Sequence, residues 1–263
     1  MKKTLKKTAT SWGSVAKWYD EAVEEKNSYQ QELILPNLLR FMNIKKGETI
    51  LDLACGQGLF ARAFHAAEAS VVAADISKEL VEIARAKSPK EIAYHVALAH
   101  TLPFLKNGSI NKIAIVLALQ NIEELNETLA ECARVLGKNG KLYLVLNHPA
   151  FRIPKESSWG YDEKANVQYR RIDRYLSNLR TDINMTPGLN ASRGRVGQVK
   201  TTVSFHRPLQ VYFKALFKNS FVVLRLEEWS SSRKSEKGPR AEAENRARAE
   251  IPLFLAIEAQ KIA

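Results

Sequence analysis

A short segment that joins a predicted strand to a predicted helix carries the residues with the clearest chemistry. Residues 50–53 are apolar except for Asp52, which places a carboxylate at the carboxyl end of a buried strand. Gly56 and Gly58 follow, and they lack the Cβ that would keep a ligand away from the backbone. A helix over 58–67 would direct its free N–H groups toward the same turn. The segment predicts a site where a ligand touches backbone, although an ordinary strand-to-helix turn also uses glycine.

A second acid indicates what kind of ligand this would be. The apolar run 70–74 ends at Asp75, about 20 residues after the glycine turn. A carboxylate at this position can accept hydrogen bonds from both hydroxyls of a ribose. Dinucleotide-dependent oxidoreductases share these two features, with a third glycine where this chain has Ala61, a variant which that pattern allows. The two acids therefore predict a nucleotide-containing ligand, but they do not by themselves predict which reaction is catalysed.

Strands and helices alternate from 49 to 147, which predicts right-handed βαβ units and a doubly wound parallel sheet of the α/β class. The predicted strands span 49–54, 70–75, 92–97, 112–119 and 141–146, and the predicted helices span 58–67, 77–88 and 122–136. Residues 137–140 would turn the chain between the last helix and strand.

The alternation stops after 147. Residues 148–205 contain several aromatic side chains that favour burial, and they predict an inserted cap with a helix near 163–176 and a strand at 198–205. A helix over 208–219, a strand over 221–227, a helix over 240–250 and a strand over 252–261 follow. We therefore expect an N-terminal basic tail with lid helices (1–48), a ligand-binding core (49–147), a substrate cap (148–205) and a C-terminal part that completes the sheet (206–263), with a basic insertion at 229–250.

Composition limits the class of protein. The chain has 263 residues, is 45% hydrophobic and carries a net charge of +12. It has no apolar run of about 18 residues and no apolar segment after its basic N-terminus, so we expect a cytoplasmic protein without a membrane span. Cys55 and Cys132 predict two reduced, buried thiols, and no metal site is expected. Residues 49–147 hold ten basic and ten acidic residues, so the basic excess lies outside the core, where we expect any acidic partner.

Several ordered motifs together resemble the class I S-adenosylmethionine-dependent methyltransferases, in particular their small-molecule, ubiquinone- and menaquinone-methyltransferase-like branch. The matching segments are 51–58, 73–77, 102–104, 118–122, 133–136 and 140–142. The resemblance covers about 49–147 and is far more specific than any single motif. It implies a Rossmann-like, mostly parallel seven-stranded sheet with an antiparallel last strand. It also implies that the cofactor is S-adenosylmethionine and the product S-adenosylhomocysteine.

The resemblance assigns cofactor-binding roles to matching positions. Gly56 and Gly58 would pack against the methionyl part and the ribose, while Ala54 and Cys55 offer backbone groups to the amino acid end. Asp52 would order the loop or meet the methionyl ammonium. Asp75 would bind the ribose hydroxyls, and Ile76 would cover one face of the adenine.

One position departs from the family. An acid commonly meets the adenine amino group at the position of Leu98, which precedes Ala99 here. That hydrogen bond is absent unless backbone groups or His100 replace it, and His100 is equally consistent with an exposed turn residue.

The acceptor of the methyl group would lie beyond the carboxyl ends of the strands. His148 leaves the fifth strand there and is the candidate general base, with a backbone-bonded turn histidine as the alternative. Gln120 and Asn121 would orient the acceptor or only shape their turn. Tyr19 and Tyr29 would line the site or pack a lid helix. Arg152 or Arg171 would pair with an acidic group.

The sequence predicts a methyltransferase that acts on oxygen, nitrogen or carbon of a small organic acceptor, acidic or aromatic in character. Two alternatives remain open. A tRNA or rRNA methyltransferase would use the arginines and aromatic residues of the cap to bind RNA. A non-catalytic protein would bind S-adenosylmethionine without turning over an acceptor. The oligomeric state does not follow from the sequence.

Overall fold

The computed structural model describes residues 12–25, 27–185 and 201–262. The basic tail expected at the N-terminus and residues 198–200 of a predicted strand lie outside these ranges. The helices are α1 (Ala16–Glu24), α2 (Leu35–Met42), α3 (Leu59–Ala66), α4 (Lys78–Lys87), α5 (Leu125–Val135), α6 (Leu209–Lys218) and α7 (Ala241–Glu250). A π-helix precedes α2 at Gln30–Ile34, and 3-10 turns lie at Gly13–Val15 and Leu119–Asn121.

Seven strands form one sheet in the order β10-β11-β5-β4-β1-β2-β3. They are β1 (Thr49–Leu53), β2 (Ser70–Asp75), β3 (Ala93–Val96), β4 (Ile110–Val116), β5 (Leu136–Asn147), β10 (Phe221–Trp229) and β11 (Phe254–Lys261). The pairs among β1 to β5 are parallel, and β11 is antiparallel to both β5 and β10. The expected doubly wound sheet with an antiparallel last strand is confirmed.

Helices cover both faces of the sheet, as its sequence of nearly continuous apolar strands requires. On one face Leu38, Phe41 and Phe64 belong to a buried cluster that includes residues of β1, β2 and β5. On the other face Leu129 of α5 and Leu216 of α6 pack against the same strands. Ligand access is therefore restricted to the ends of the strands.

The described part of the cap contains two antiparallel strand pairs, the β6–β7 hairpin (Ser157–Asp162 and Val167–Ile172) and the pair β8–β9 (Leu179–Asn184 and Thr201–His206), which we call the β8–β9 hairpin. The helix predicted near 163–176 is wrong, because residues 163–166 form a turn and residues 167–172 form β7. The Asp162 carboxylate accepts hydrogen bonds from two backbone N–H groups of the turn, and Asn166 adopts a left-handed φ of 48°. These features favour a hairpin turn over the continuation of a helix.

The start of β5 also differs from the prediction. Strand β5 begins at Leu136 instead of residue 141, and its pairing with β4 shifts register between Ile110 and Lys112. The glycines at 137 and 140 thus lie in an irregular strand start. In the described part of the chain no helix is long and apolar enough to cross a membrane.

Candidate functional site

The glycine turn after β1 is held against the end of β2 by backbone hydrogen bonds. The N–H of Cys55 donates to the carbonyl of Ala74 at 3.0 Å, and the N–H of Gly56 donates to Asp75 Oδ2 at 2.9 Å. Ala54, Gly56 and Gly58 all have positive φ, at 59°, 55° and 85°. This sequence of left-handed residues makes the tight turn that the small residues predicted.

Both oxygens of Asp75 are engaged by backbone, because Oδ1 accepts the N–H of Ser77 at 2.8 Å. The side chain is buried, and burial raises its pKa although these N–H bonds act in the opposite direction. The bonds fix the carboxylate at the edge of the cavity described below, which Asp75 lines together with Ile76. With a third backbone bond from Ile76, three N–H groups occupy a carboxylate that has about four acceptor positions, so the group can still accept a ligand hydroxyl.

Asp52 is more deeply buried than Asp75 and does not line the cavity. It accepts a backbone hydrogen bond from Ala61 in α3, while its Oδ2 atom has no hydrogen-bond partner among the described residues. Its pKa is raised to about 7, mainly by burial and to a smaller extent by the charge of Asp75, while the Ala61 hydrogen bond and the charge of Arg62 act in the opposite direction. Two neighbouring buried carboxylates therefore make this end of the sheet favourable for a cation.

A cavity of about 350 Å³ opens above the turn at the carboxyl ends of the strands. Its lining residues are Trp12, Tyr19, Leu53, Ala54, Gly56, Ala74, Asp75, Ile76, Leu80, Ala97, Leu98, Ala99, His100, Val116, Leu117, Ala118, Asn121, Ile122, Glu123, Glu124, Arg180, Val203 and Phe205. The structure thus brings together predicted residues from β1, β2, the segment after β3 and the segment after β4. Cys55 and Gly58 belong to the turn but do not line the cavity.

Helix α1 closes one side of this cavity. Tyr19 lines it, and an ideal Cβ on Gly56 would lie 3.5 Å from the Tyr19 ring. Burial, with the nearby Asp75 and Asp52, raises the pKa of Tyr19 to about 12, so its hydroxyl stays protonated. Ion pairs fasten the helix to the core, with Asp20 2.6 Å from Lys87 and Glu24 2.7 Å from Arg62.

The β8–β9 hairpin closes the opposite side. Arg180 of β8 and Val203 and Phe205 of β9 line the cavity, and none of them was a predicted site residue. Arg180 has a weak ion pair with Asp182, at 3.6 Å, and its side chain is 60% exposed. The cation at the cavity is therefore Arg180, in a hairpin whose pairing the sequence did not reveal.

Arg207 connects this hairpin to the segment after β4. The buried guanidinium donates to the carbonyl oxygens of Leu119, Ile122 and Glu123, at 3.4, 2.8 and 2.9 Å, and lies 5.2 Å from the centre of the Phe205 ring. No described residue forms an ion pair with it at 4.0 Å or less. These bonds fix the loop that carries Asn121, Ile122 and Glu123 into the cavity. The aromatic and basic run at 205–208 was visible in the sequence, but its contacts were not.

Gln120 and Asn121 have different positions. Asn121 lines the cavity, whereas Gln120 is buried and donates its amide to the carbonyl of Leu117 at 2.7 Å. The structure therefore places Asn121, but not Gln120, where an acceptor could contact it.

His148 lies outside the cavity and is buried between the cap and β10. Its Nδ1 accepts the N–H of Ala150 at 3.2 Å, so the proton of the neutral ring is on Nε2, which donates to Glu228 Oε1 at 2.7 Å. Burial lowers its pKa, although the bond to Glu228 opposes this shift. Because both ring nitrogens are occupied, the geometry corresponds to the turn histidine rather than to the general base.

Three other predicted acceptor residues do not line the cavity either. Tyr29 packs against Phe254 and under Arg233, whose guanidinium is 3.8 Å from the ring centre. Arg152 lies over the Phe254 ring at 5.3 Å. Arg171 is exposed and pairs with Asp173 at 2.8 Å. These side chains stabilise the cap and the C-terminal strands, where aromatic rings had suggested a site.

The sequence also yields predictions for the two cysteine thiols and for metal binding. Cys55 and Cys132 are free and buried, and burial raises the pKa of both thiols. Neither is therefore a thiolate nucleophile at neutral pH. Across residues 12–25, 27–185 and 201–262, no group of three or more His, Cys, Asp or Glu side chains is arranged to hold a metal ion.

Comparison with known proteins agrees with the fold and with the family that the motifs resemble. Residues 51–144 match the family model "Methyltransferase domain". A ubiquinone biosynthesis O-methyltransferase from Xanthomonas oryzae is 31% identical over 101 residues, which are 37% of this chain and 42% of that protein. A demethylmenaquinone methyltransferase from Paenarthrobacter aurescens is 29% identical over 57% of this chain and 58% of its own length. The chain thus spans about half the length of these curated relatives.

A solved structure extends the similarity beyond this core. The S-adenosylmethionine-dependent methyltransferase from Mesorhizobium loti superposes with a TM-score of 0.64 at 26% identity, over 86% of this chain and 96% of that one. The ordered motifs, the strand order and these similarities support a class I S-adenosylmethionine-dependent methyltransferase, in which residues 51–144 match the methyltransferase domain.

Proposed function

We propose that this protein transfers a methyl group from S-adenosylmethionine to a small aromatic acceptor that carries an acidic group. The observation that carries the cofactor assignment is the pair of buried carboxylates beside the glycine turn, Asp52 and Asp75. S-adenosylmethionine carries a sulfonium and an ammonium group, which two neighbouring acids favour. A dinucleotide would instead place its anionic pyrophosphate at this turn, next to those acids. The charge of the site therefore supports the methyl donor over the dinucleotide.

The chain's own residues would hold the donor in a defined way. Asp75 would accept the ribose hydroxyls, and Ala54 and Gly56 would present backbone to the amino acid end. Ile76, Leu98 and Ala99 line the region where an adenine would pack, and His100 is the nearby polar side chain. The bound donor supplies an electrophilic methyl group on its sulfonium. Tyr19 and the β8–β9 hairpin would exclude water from that group.

The class of acceptor is proposed from the side chains that the N-terminal segment and the β8–β9 hairpin contribute to the cavity lining. Trp12, Tyr19 and Phe205 supply aromatic surface, and Arg180 supplies an exposed guanidinium that could pair with a carboxylate or phosphate. A cavity of about 350 Å³ is of the size that takes a small organic ligand. Quinone precursors fit this description, and two of the relatives are named as quinone-pathway methyltransferases.

A protonated acceptor atom needs a base. The ring nitrogens of His148 are occupied by Ala150 and Glu228. We therefore assign the role of base to Glu123 and Glu124, whose carboxylates line the cavity near Asn121. Both are exposed, so a proton taken from the acceptor can pass to water. Asn121 would orient the acceptor by hydrogen bonding.

The RNA alternative rests on a different surface. In the β6–β7 hairpin Trp159 and Tyr169 are 39% and 49% exposed, and the Arg170 guanidinium lies 5.1 Å from the centre of the Trp159 ring. Exposed aromatic rings beside arginines are typical of surfaces that stack bases. This hairpin does not line the cavity, so the small-molecule acceptor is the better supported proposal. A cytoplasmic location is part of the same proposal.

Calorimetric titrations with S-adenosylmethionine, S-adenosylhomocysteine and NAD⁺ test the cofactor. Binding of the first two supports the proposal, whereas binding of NAD⁺ alone contradicts it. Transfer of radiolabelled methyl to 3,4-dihydroxybenzoate and related phenolic acids, compared with bulk tRNA, then tests the acceptor. Arg180→Ala should raise KM for acidic phenols and leave cofactor binding unchanged. Transfer to tRNA alone would favour the RNA enzyme, and cofactor binding without transfer to either class would favour the non-catalytic protein.

A further inference from the structure

A second and larger cavity, of about 610 Å³, lies at the amino ends of the strands, at the opposite end of the sheet from the glycine turn. We call it the basal cleft. Its charged lining residues are Arg40, Lys45, Glu48, Lys112, Lys138, Lys141, Arg225 and Glu258. The uncharged lining residues are Phe41, Met42, Asn43, Ile110, Asn111, Gly137, Asn139, Gly140 and Tyr143.

Cations outnumber acids in the basal cleft by six to two. Both acids are already paired, since Lys112 is 2.5 Å from Glu48, and Lys141 and Arg225 lie 2.6 and 2.7 Å from the two oxygens of Glu258. One cation, Arg40, pairs with Glu227 outside the lining. The remaining positive charge has no compensating side chain in the cleft.

Two exposed lysines at the rim carry much of this uncompensated charge. Lys138 has no hydrogen-bond or ion-pair partner among the residues that the structure describes, and the ammonium of Lys45 donates to Asn43 Oδ1 at 3.0 Å. Deeper in the cleft, the buried Lys112 ammonium donates to the carbonyl of Asn43 and to Glu48, which leaves one of its three N–H donors. The cleft thus offers donors at its rim and in its wall.

We propose that the basal cleft binds a small phosphorylated anion with two or more negative charges, such as a polyphosphate or a nucleotide. A concave surface lined by one sign of charge concentrates the field and raises the local concentration of counter-ions. Ammonium and guanidinium groups are the side chains that bind phosphate oxygens best. The volume matches that of sites for ligands of this size. This site is separate from the methyltransferase cavity and does not depend on its proposed reaction.

Titration of the full chain with pyrophosphate and, separately, with ATP tests the proposal at physiological salt. Both anions should bind, and Lys138→Glu and Lys45→Glu should each weaken binding by about tenfold. Lys164→Glu makes the same change of net charge on the exposed turn of the β6–β7 hairpin and is the matched control, with an expected effect below about twofold. Tighter binding of ATP than of pyrophosphate would identify a nucleotide as the preferred source of the phosphates.

Three results would overturn the proposal. One is the absence of binding of either anion, and another is an equal loss in the Lys164→Glu control, which would show a response to net charge alone. The third is a wild-type protein that binds tRNA but neither small anion, with tRNA binding lost in Lys138→Glu. That result would make the cleft part of a nucleic-acid surface. The binding of S-adenosylhomocysteine should be unchanged in all three variants. That measurement separates failure of this site from failure of the proposed methyltransferase function.

Discussion

Replacing Asp52 with asparagine separates the cost of burying this carboxylate from its contribution to cofactor binding. In the folded protein its pKa is raised from 3.8 to about 7. This difference corresponds to a cost of about 4 kcal/mol for ionising the folded protein above pH 7. The asparagine avoids that cost but buries an amide NH₂ where Oδ2 has no partner, which costs about 1–3 kcal/mol. The variant without ligand should therefore be more stable than the wild type at pH 8, by about 1–3 kcal/mol.

The sign of the pH dependence follows from the raised pKa. Between pH 4 and pH 7 the folded state holds a proton on Asp52 that the unfolded state releases, so the free energy of unfolding falls as pH rises. Above about pH 7 the loss from this group is complete. The stability difference between Asp52→Asn and the wild type should thus grow in favour of the variant from pH 4 to pH 7 and then stay constant.

Cofactor binding should have the opposite dependence. A cationic ligand favours the ionised carboxylate, so affinity for S-adenosylmethionine should rise about tenfold from pH 6 to pH 8, with proton release. Asp52→Asn should bind more weakly at pH 8 and show no such rise. Calorimetry in buffers of different ionisation enthalpy measures both the affinity and the released protons, and urea unfolding measures the stability.

Glu124→Gln is the matched control, because it removes an exposed carboxylate that lines the same cavity. It should leave the pH dependence of binding intact. The reasoning is refuted if Asp52→Asn keeps the wild-type pH profile of binding, or if it is less stable than the wild type at pH 8.

Three further substitutions test the geometry of the site, with Gly47→Ala as a control for one of them. The carboxylate of Asp75 accepts hydrogen bonds from backbone N–H groups, and in Asp75→Asn one of these donors would face the amide NH₂ group, which is also a donor. Titration should therefore show at least about tenfold weaker binding of S-adenosylhomocysteine. Gly58→Ala should lower the free energy of unfolding in urea by about 2–3 kcal/mol, because φ is 85° and the new Cβ would lie 2.4 Å from the Tyr94 hydroxyl oxygen. Gly47→Ala, with φ of 79° and no atom within 4 Å of its Cβ, should cost only about 1 kcal/mol. Arg207→Met should cost about 3 kcal/mol and speed hydrogen exchange in the loop whose carbonyls it binds, and an unchanged exchange rate would contradict its positioning role.

The sequence predicted the core because that part of the fold is determined locally. Apolar strands that end in Asp52 and Asp75, and small residues between strand and helix, require only neighbours in the chain to define the turn. The sheet order then follows from the handedness of βαβ units and the family resemblance. The cavity consequently contains the predicted Gly56, Asp75 and Ile76.

The acceptor side could not be predicted in the same way, because it depends on contacts between distant segments. His148 was correctly expected at the end of β5, but only the position of Glu228, 80 residues later, shows that its Nε2 is occupied. Arg180 enters the cavity through the pairing of β8 with β9, which no periodicity in the cap indicated. The sequence also cannot show whether an arginine stacks on an aromatic ring, as Arg152 does, or faces a ligand.

Net charge illustrates the same limit. The neutrality of residues 49–147 led us to expect any acidic partner outside the core, but the charges of the core are separated along the strands. Glu123 and Glu124 line the cavity at the carboxyl ends together with Asp75, whereas three core lysines line the basal cleft at the amino ends, Lys112, Lys138 and Lys141. A cationic methyl donor and a phosphorylated anion would therefore meet favourable fields at opposite ends of one sheet. The sum of the charges is zero because these two fields have opposite sign, so the local arrangement, rather than the sum, determines which ligand each end can hold.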